Sequence, residues 1–306
     1  MITKSRLTWA LRWLVSVGML LWILTRPEVA RLGADMRHLD LVWLLGGLMC
    51  AGLSLALGAW RWQACLEALG MELSLWHMFK LTLAASALGC VSVGSLGADL
   101  AKVMLTERYL PGRHGGILAS LALDHMSAFP CVVVMVAAAT VTHGTLPHLN
   151  ASGIWLAVGV AAVVVAAMAV ISWKFKPLHY EMKRIALDRA SWRGLLRAGG
   201  RSVPVWLSYC GIFYCAARAV GVVVPVVGFA GVIAIADGVA ALPVTIAGLG
   251  VREQAFRVLL GNWYHVPAAA AVALSLSGFS LSLVWAAVGA LGLACGSLKP
   301  SSPATS

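Results

Sequence analysis

Charged residues are scarce in this sequence. Only 11% of the 306 residues are Asp, Glu, Lys or Arg, against about 25% in ordinary soluble domains. Apolar residues make up 60% and the mean hydropathy is +0.87, which excludes a soluble globular protein. Each membrane-spanning helix needs about 20 mostly apolar residues, and several runs are long enough: 41–60, 117–141, 154–173 and 267–298. The sequence predicts an all-α polytopic membrane protein.

Recognisable metal, disulfide and nucleotide motifs are missing. The seven cysteines form no CxxC pair and the eight histidines form no HxxxH pair, so we expect no metal site and no cofactor. The Gly-Leu-Gly sequence at 248–250 is not followed by the lysine and serine of a nucleotide loop. The net charge of +11 fits basic cytoplasmic loops beside anionic lipid, and we expect no nucleic-acid partner.

Large loops are also missing. Outside the further membrane segments described below, no connecting loop reaches the roughly 50 residues of an independent domain, and no nucleophile with an arranged base is visible. We therefore predict that the protein is not an enzyme. We expect one integral membrane domain over residues 1–299, followed by a short disordered tail at 300–306.

Basic residues set the predicted orientation. The loop at 174–201 holds eight basic and two acidic residues and is placed in the cytoplasm, whereas the uncharged loop at 142–152 is placed outside. Two further spans, 7–24 and 203–218, complete about six full spans. This orientation puts the N- and C-termini in the cytoplasm, with the protein in the plasma membrane, which is the inner membrane of a bacterium.

Two segments must begin and end on the same side of the membrane. Segment 75–115 returns to the cytoplasm and segment 222–267 returns to the outside, and each is interrupted by glycines and polar residues. Such interruptions are typical of re-entrant helical hairpins that line a cavity. The alternative is an ordinary helix pair joined by a glycine-rich turn. The residues expected to shape the hairpins are Gly94, Gly97, Pro243, Gly248 and Gly250.

The two hairpins resemble each other in sequence. The stretch 94–105 aligns with 248–260 when Leu96-Gly97 is paired with Leu249-Gly250. The predicted topology divides the chain into inverted halves, about 1–145 and 150–299. Interrupted segments in inverted halves indicate a transport site near the middle of the membrane. Because the matching stretch is short, chance similarity is the alternative.

Charged residues inside apolar segments are the candidate substrate-binding residues. Charges in a bilayer are costly and usually pair or face a cavity, and a helix start with an arginine suits an anionic headgroup. Alternatively, Asp99 and Glu253 only cap their helices. Asp237 belongs to the same class, and His125 is expected to be a structural partner rather than a metal ligand or proton relay. The candidates are Asp99, Lys102, Asp124, Arg218, Arg252, Glu253 and Arg257.

Several short motifs resemble one family. They are Arg61-Trp62 with Leu69-Gly70, the stretch 97–102, Leu123-Asp124 and the stretch 243–253. Together they make the chain similar to the flippase-like transmembrane region of lysylphosphatidylglycerol synthases, the multiple peptide resistance factor family, in a stand-alone form. Ala98 stands where the family has a second glycine, His125 stands where it has an arginine, and the usual proline before the first glycine-rich turn is absent.

The resemblance implies a function in lipid movement. Because the chain ends at Ser306 soon after the last span, we expect no aminoacyl-transferase domain, and hence lipid translocation without lipid aminoacylation. The leading hypothesis is a transporter that moves a phospholipid or a polyprenyl-phosphate lipid between leaflets. The alternative is a membrane accessory protein that presents lipid to a separate lipid-modifying or glycosyl-transfer enzyme. Membrane lipids are the expected partners in both cases.

Overall fold

The computed structural model describes residues 40–90, 96–142, 189–241 and 248–295. These residues form helices and connecting turns, with no strand among them. The first four helices are α1 (Leu41–Ala68), α2 (Leu75–Cys90), α3 (Leu96–Glu107) and α4 (His114–Thr142). The next four are α5 (Arg189–Ala219), α6 (Val226–Ala240), α7 (Val251–Tyr264) and α8 (Ala268–Ala294).

Local sequence explains where the helices end. After α1 and after α5 the chain turns through a glycine with positive φ, 67° at Gly70 and 76° at Gly221, a conformation that only glycine adopts without strain. Pro225 and Pro267 directly precede α6 and α8, where their fixed φ suits a helix start. Each half of the described chain consists of a long helix, two short helices and a second long helix.

Helices α1 and α5 pack side by side in opposite directions. At one end, the backbone N–H of Asp40 donates to the carbonyl of Ala219 at 3.3 Å. At the other end, a Cβ atom added to Gly194 would lie 2.5 Å from Cβ of Ala68, so the absence of a side chain there allows the close approach. This antiparallel pair joins the two halves of the described chain.

Every main helix contact in one half has a counterpart in the other. Helix α2 packs on α3 and α8, and correspondingly α6 packs on α7 and α4. Helix α3 packs on α4 as α7 packs on α8, and α1 packs on α2, α4 and α8 as α5 packs on α6, α8 and α4. The set of helix pairs in contact is therefore the same when the two halves are exchanged.

Small residues bring the short helices against the long ones. A Cβ atom on Gly289 of α8 would overlap the carbonyl of Leu83 of α2, and one on Gly231 of α6 would overlap Cβ of Ala139 of α4. Small residues at crossings let helix backbones approach closely in membranes. The short helices α2 and α6 therefore each rest on the last long helix of the other half.

The helix lengths separate spans from shorter elements. Three described helices are long and apolar enough to cross a membrane, at Leu41–Ala68, His114–Ala139 and Ala268–Ala294. The 16 residues of α2 extend only about 24 Å, less than the roughly 30 Å of hydrocarbon. The predicted span 203–218 lies within α5, which is not one of the three, and the predicted spans 7–24 and 154–173 lie outside the described residues.

The first long helix continues further than we predicted. The sequence places the end of a span at Trp60, with Arg61 as its cytoplasmic boundary, but α1 runs to Ala68. Arg61 lies inside the helix with a side chain only 11% exposed. A carboxylate on another helix, that of Asp124, neutralises the charge of Arg61 at this position.

Candidate functional site

The first polar cluster is built around an ion pair between α1 and α4. The guanidinium of Arg61 donates twice to Asp124, from Nε to Oδ1 at 2.7 Å and from Nη2 to Oδ2 at 2.9 Å. The Asp124 side chain is 5% exposed. This two-bonded geometry is the strongest arrangement for an arginine and a carboxylate. Both oxygens of Asp124 accept from Arg61, and the pair joins α1 to α4.

Asp99, in the first turn of α3, lies beside this pair. Its Oδ2 lies 2.8 Å from Nε2 of His125 on α4, and its Oδ1 lies 3.9 Å from Nζ of Lys102. The Lys102 ammonium also lies over the Trp62 ring, 5.1 Å from its centre, a cation–π contact. The structure thus brings three of the predicted residues, Asp99, Lys102 and Asp124, into one neighbourhood.

The second polar cluster joins α6 to α7. Nε of Arg252 lies 3.3 Å from Oδ1 of Asp237, yet neither atom makes a hydrogen bond to a described residue. The guanidinium lies over the Phe279 ring at 5.4 Å, and the phenol of Tyr209 neighbours the Asp237 carboxylate. This charge pair is in contact without the two-bonded geometry of the first cluster.

Glu253 is the fully buried neighbour of Arg252. Its Oε2 accepts a hydrogen bond from the backbone N–H of Gly250 at 2.6 Å, and its Oε1 accepts one from the Ser275 hydroxyl at 3.2 Å. The first contact is half of a capping box at the start of α7. These contacts are those of the capping alternative, and they fasten α7 to α8.

Two further predicted residues contact an aromatic ring and a neighbouring amide. The Arg218 guanidinium, in the last turn of α5, lies over the Trp43 ring at 5.2 Å. Arg257 donates from Nε to Oε1 of Gln254 at 3.1 Å.

The predicted hairpin glycines occupy turns and helix starts. Gly248 and Gly250 have φ of 72° and 84°, and Gly250 is the residue before the first turn of α7. Gly97 is the second residue of α3. Gly94 and Pro243 lie outside the described residues. The backbone before α7 thus uses conformations that favour glycine.

Sequence reasoning missed four members of the clusters as site residues. Arg61 was assigned to a helix boundary, Asp237 was noted only as an intramembrane charge, His125 was assigned a structural role and Tyr209 was not considered. A signal existed for Arg61 and Asp237, because each is a charge within an apolar segment. No such signal existed for Tyr209, because its proximity to Asp237 depends on the packing of α5 on α6.

The apolar helices with paired charges between them define an integral membrane protein. The chain belongs to the family described as the lysylphosphatidylglycerol synthase TM region, whose model matches residues 9–290 of the 306. This confirms the resemblance found in the sequence. A comparison with curated proteins found no match.

Proposed function

We propose that this protein moves a phosphate-bearing lipid, a phospholipid or a polyprenyl-phosphate lipid, between the two leaflets of the membrane. Membership of a membrane family named for a lipid synthase supports a lipid as the substrate. The proposal includes no chemical change of the lipid, so the protein acts as a transporter and not as an enzyme. It also includes a plasma-membrane location with cytoplasmic termini.

The observation that carries the proposal is the hydrogen bonding of the Arg252 guanidinium. Its side chain is 15% exposed, and its contact with Asp237 leaves Nε without a hydrogen bond to a described residue. Arg61 differs, because Asp124 holds its guanidinium by two hydrogen bonds, from Nε and from Nη2. A guanidinium that its carboxylate does not hold by two hydrogen bonds keeps the fork geometry suited to two-bonded recognition of a phosphate. Arg252 is therefore the proposed phosphate contact.

The arrangement of the halves supports movement across the membrane. Exchanging the halves preserves the helix contacts and exchanges α1 with α5, which run antiparallel. A two-fold rotation that exchanges antiparallel helices has its axis perpendicular to them, which for membrane helices lies in the membrane plane. Halves related in this way face opposite sides, as in transporters with inverted repeats.

Lipid exchange by purified protein in liposomes tests the proposal. Wild-type protein should accelerate the transfer of labelled phospholipid between leaflets. Arg252→Ala should slow transfer about tenfold or more per folded molecule, the scale of one charge-assisted contact. Arg252→Lys should restore transfer only partly, because lysine lacks the planar two-bonded fork.

Arg197→Ala is the matched control for loss of an arginine. Arg197 is 59% exposed and lies 3.7 Å from Glu67 at the end of α1, away from the second cluster, so transfer should stay at the wild-type rate. A wild-type rate in Arg252→Ala would remove the proposed phosphate contact. No transfer by the wild type with any labelled lipid would favour the accessory protein that presents lipid to another enzyme.

A further inference from the structure

Helix α3 is attached to α4 by a histidine and a carboxylate at each of its ends. At the first turn of α3, Asp99 lies 2.8 Å from Nε2 of His125. At the last residue of α3, Oε1 of Glu107 lies 2.6 Å from Nε2 of His114. In both pairs α3 supplies the carboxylate and α4 supplies the histidine. The described residues show no other salt bridge between these two helices.

Apolar packing joins α3 to α2 more extensively than to α4. The helix has only 12 residues, and Leu100 and Met104 on one face are largely exposed while Ala101 and Leu105 on the other are buried. The two polar contacts at its ends therefore form a substantial part of what holds α3 on α4.

The charged groups around His125 are few and can be named. Asp99 and Lys102 of α3 and Asp124 of α4 act on it directly, and Arg61 of α1 neutralises Asp124. The other helices packed on α4 have their nearby charges engaged elsewhere: Arg201 of α5 donates to the carbonyl of Trp60, and Asp237 of α6 pairs with Arg252. On α2, Lys80 lies over the Trp76 ring. Asp99 is therefore the anion that faces His125.

His114 lies at the exposed end of α3. Its side chain and that of Glu107 are 58% and 37% exposed. Arg108 and Arg113 in the adjoining turn are exposed cations, and Glu72 in the neighbouring turn is an exposed anion. Solvent screens these charges, so the contact with Glu107 dominates the surroundings of His114.

We propose that protonation of His125 and His114 strengthens the attachment of α3 to α4, so that this attachment responds to pH and weakens as the histidines lose their protons. A protonated imidazole attracts a carboxylate as a full charge, whereas a neutral one forms only a hydrogen bond. Because a lower pH favours the protonated imidazole, the attachment is stronger at low pH and weaker at high pH. The consequence for transport rests on the proposed function, with α3 as an element that must move.

Hydrogen exchange of the α3 backbone amides tests the attachment without reference to transport. In the full chain in nanodiscs, the amides of residues 96–107, corrected for intrinsic exchange, should be about threefold to tenfold more protected at about pH 5.5 than at about pH 8, the scale of two weak ion pairs. His125→Gln and His114→Gln should each reduce this pH effect, and the double variant should abolish it. His77→Gln is the control, because His77 bonds Ser74 and not a carboxylate.

Protection of α3 that does not change with pH in the wild type would overturn the proposal. So would a pH effect that persists in the double variant. If His125→Gln does not fold, His114→Gln at the exposed end of α3 still tests the pair of His114 with Glu107. A pH effect in His114→Gln equal to that of the wild type would contradict the role of His114 in the attachment.

The pH dependence of lipid transfer in liposomes distinguishes a failure of this proposal from a failure of the proposed function. Transfer that slows below about pH 6 in the wild type, and does not in the double variant, supports the link to transport. Transfer at the same rate at both pH values would overturn that link while leaving lipid transport intact. A pH-dependent α3 in a protein that transfers no lipid would support the attachment and contradict the proposed function.

Discussion

Arg61 and Asp124 lie 63 positions apart in sequence and form a two-bonded ion pair between α1 and α4. Asp124 was predicted to bind substrate, yet both of its oxygens already accept from Arg61. The neighbouring contact from Trp62 Nε1 to the Ser120 hydroxyl, at 3.0 Å, links the same two helices. These contacts place Asp124 in the connection between α1 and α4.

Breaking this ion pair should therefore destabilise the fold. Asp124→Asn and Arg61→Ala should each lower the free energy of unfolding by about 3–5 kcal/mol, because each leaves a buried charge without its partner. Replacing both residues by leucine should recover much of the loss. Chemical unfolding in detergent measures the effect, with Arg197→Ala as a control expected to cost less than about 1 kcal/mol. A small loss in Asp124→Asn would show that the pair is not structural.

The turn before α7 should not tolerate a side chain at position 248. Gly248 has φ of 72°, and a Cβ atom there would lie 2.8 Å from Cβ of Ala240. Gly248→Ala should cost about 1–3 kcal/mol of unfolding free energy. Gly58→Ala in α1 is the control, because nothing lies within 4 Å of its added Cβ atom, and it should be neutral or stabilising by up to about 1 kcal/mol. Equal stabilities of the two variants would contradict the predicted strain.

Replacing Glu253 by glutamine should lower the stability of the fold more than it slows lipid transport. Glu253→Gln replaces one acceptor oxygen by an amide NH₂ at a buried position, which weakens or rearranges the contacts with Gly250 and Ser275, and we expect a loss of about 1–3 kcal/mol in unfolding free energy. Lipid transfer per folded molecule should fall only modestly if the residue is a cap. Glu72→Gln, at an exposed position, is the control for loss of a carboxylate. Complete loss of transfer in fully folded Glu253→Gln would show instead that this carboxylate carries a proton.

Equivalent turns of the two halves should face opposite sides of the membrane. The turn between α3 and α4 contains Arg113, and the corresponding turn between α7 and α8 contains His265, and both residues are exposed. In a variant without native cysteines, Arg113→Cys should react with an impermeant thiol reagent only from the cytoplasm and His265→Cys only from outside. Labelling of both from the same side would contradict inverted halves.

The amino-acid sequence by itself determined the class of protein and the approximate position of its helices. Apolar runs predicted α1, α4 and α8, because a run of this length has few stable environments outside a bilayer. Glycine and proline marked the interruption before α7, where Gly248 and Gly250 adopt positive φ. These properties are local, so the order of residues is enough to reveal them.

Only the tertiary structure decided which charges meet. Sequence singled out Asp99, Asp124 and Arg252 as costly charges, but their partners His125, Arg61 and Asp237 are, in that order, 26, 63 and 15 positions away. Periodicity within a helix cannot specify a partner on another helix, since that depends on how the helices cross. The same packing made Glu253 a buried cap bonded to Ser275 and left Arg252 without the two-bonded contact that holds Arg61, because the role of a side chain depends on its neighbours.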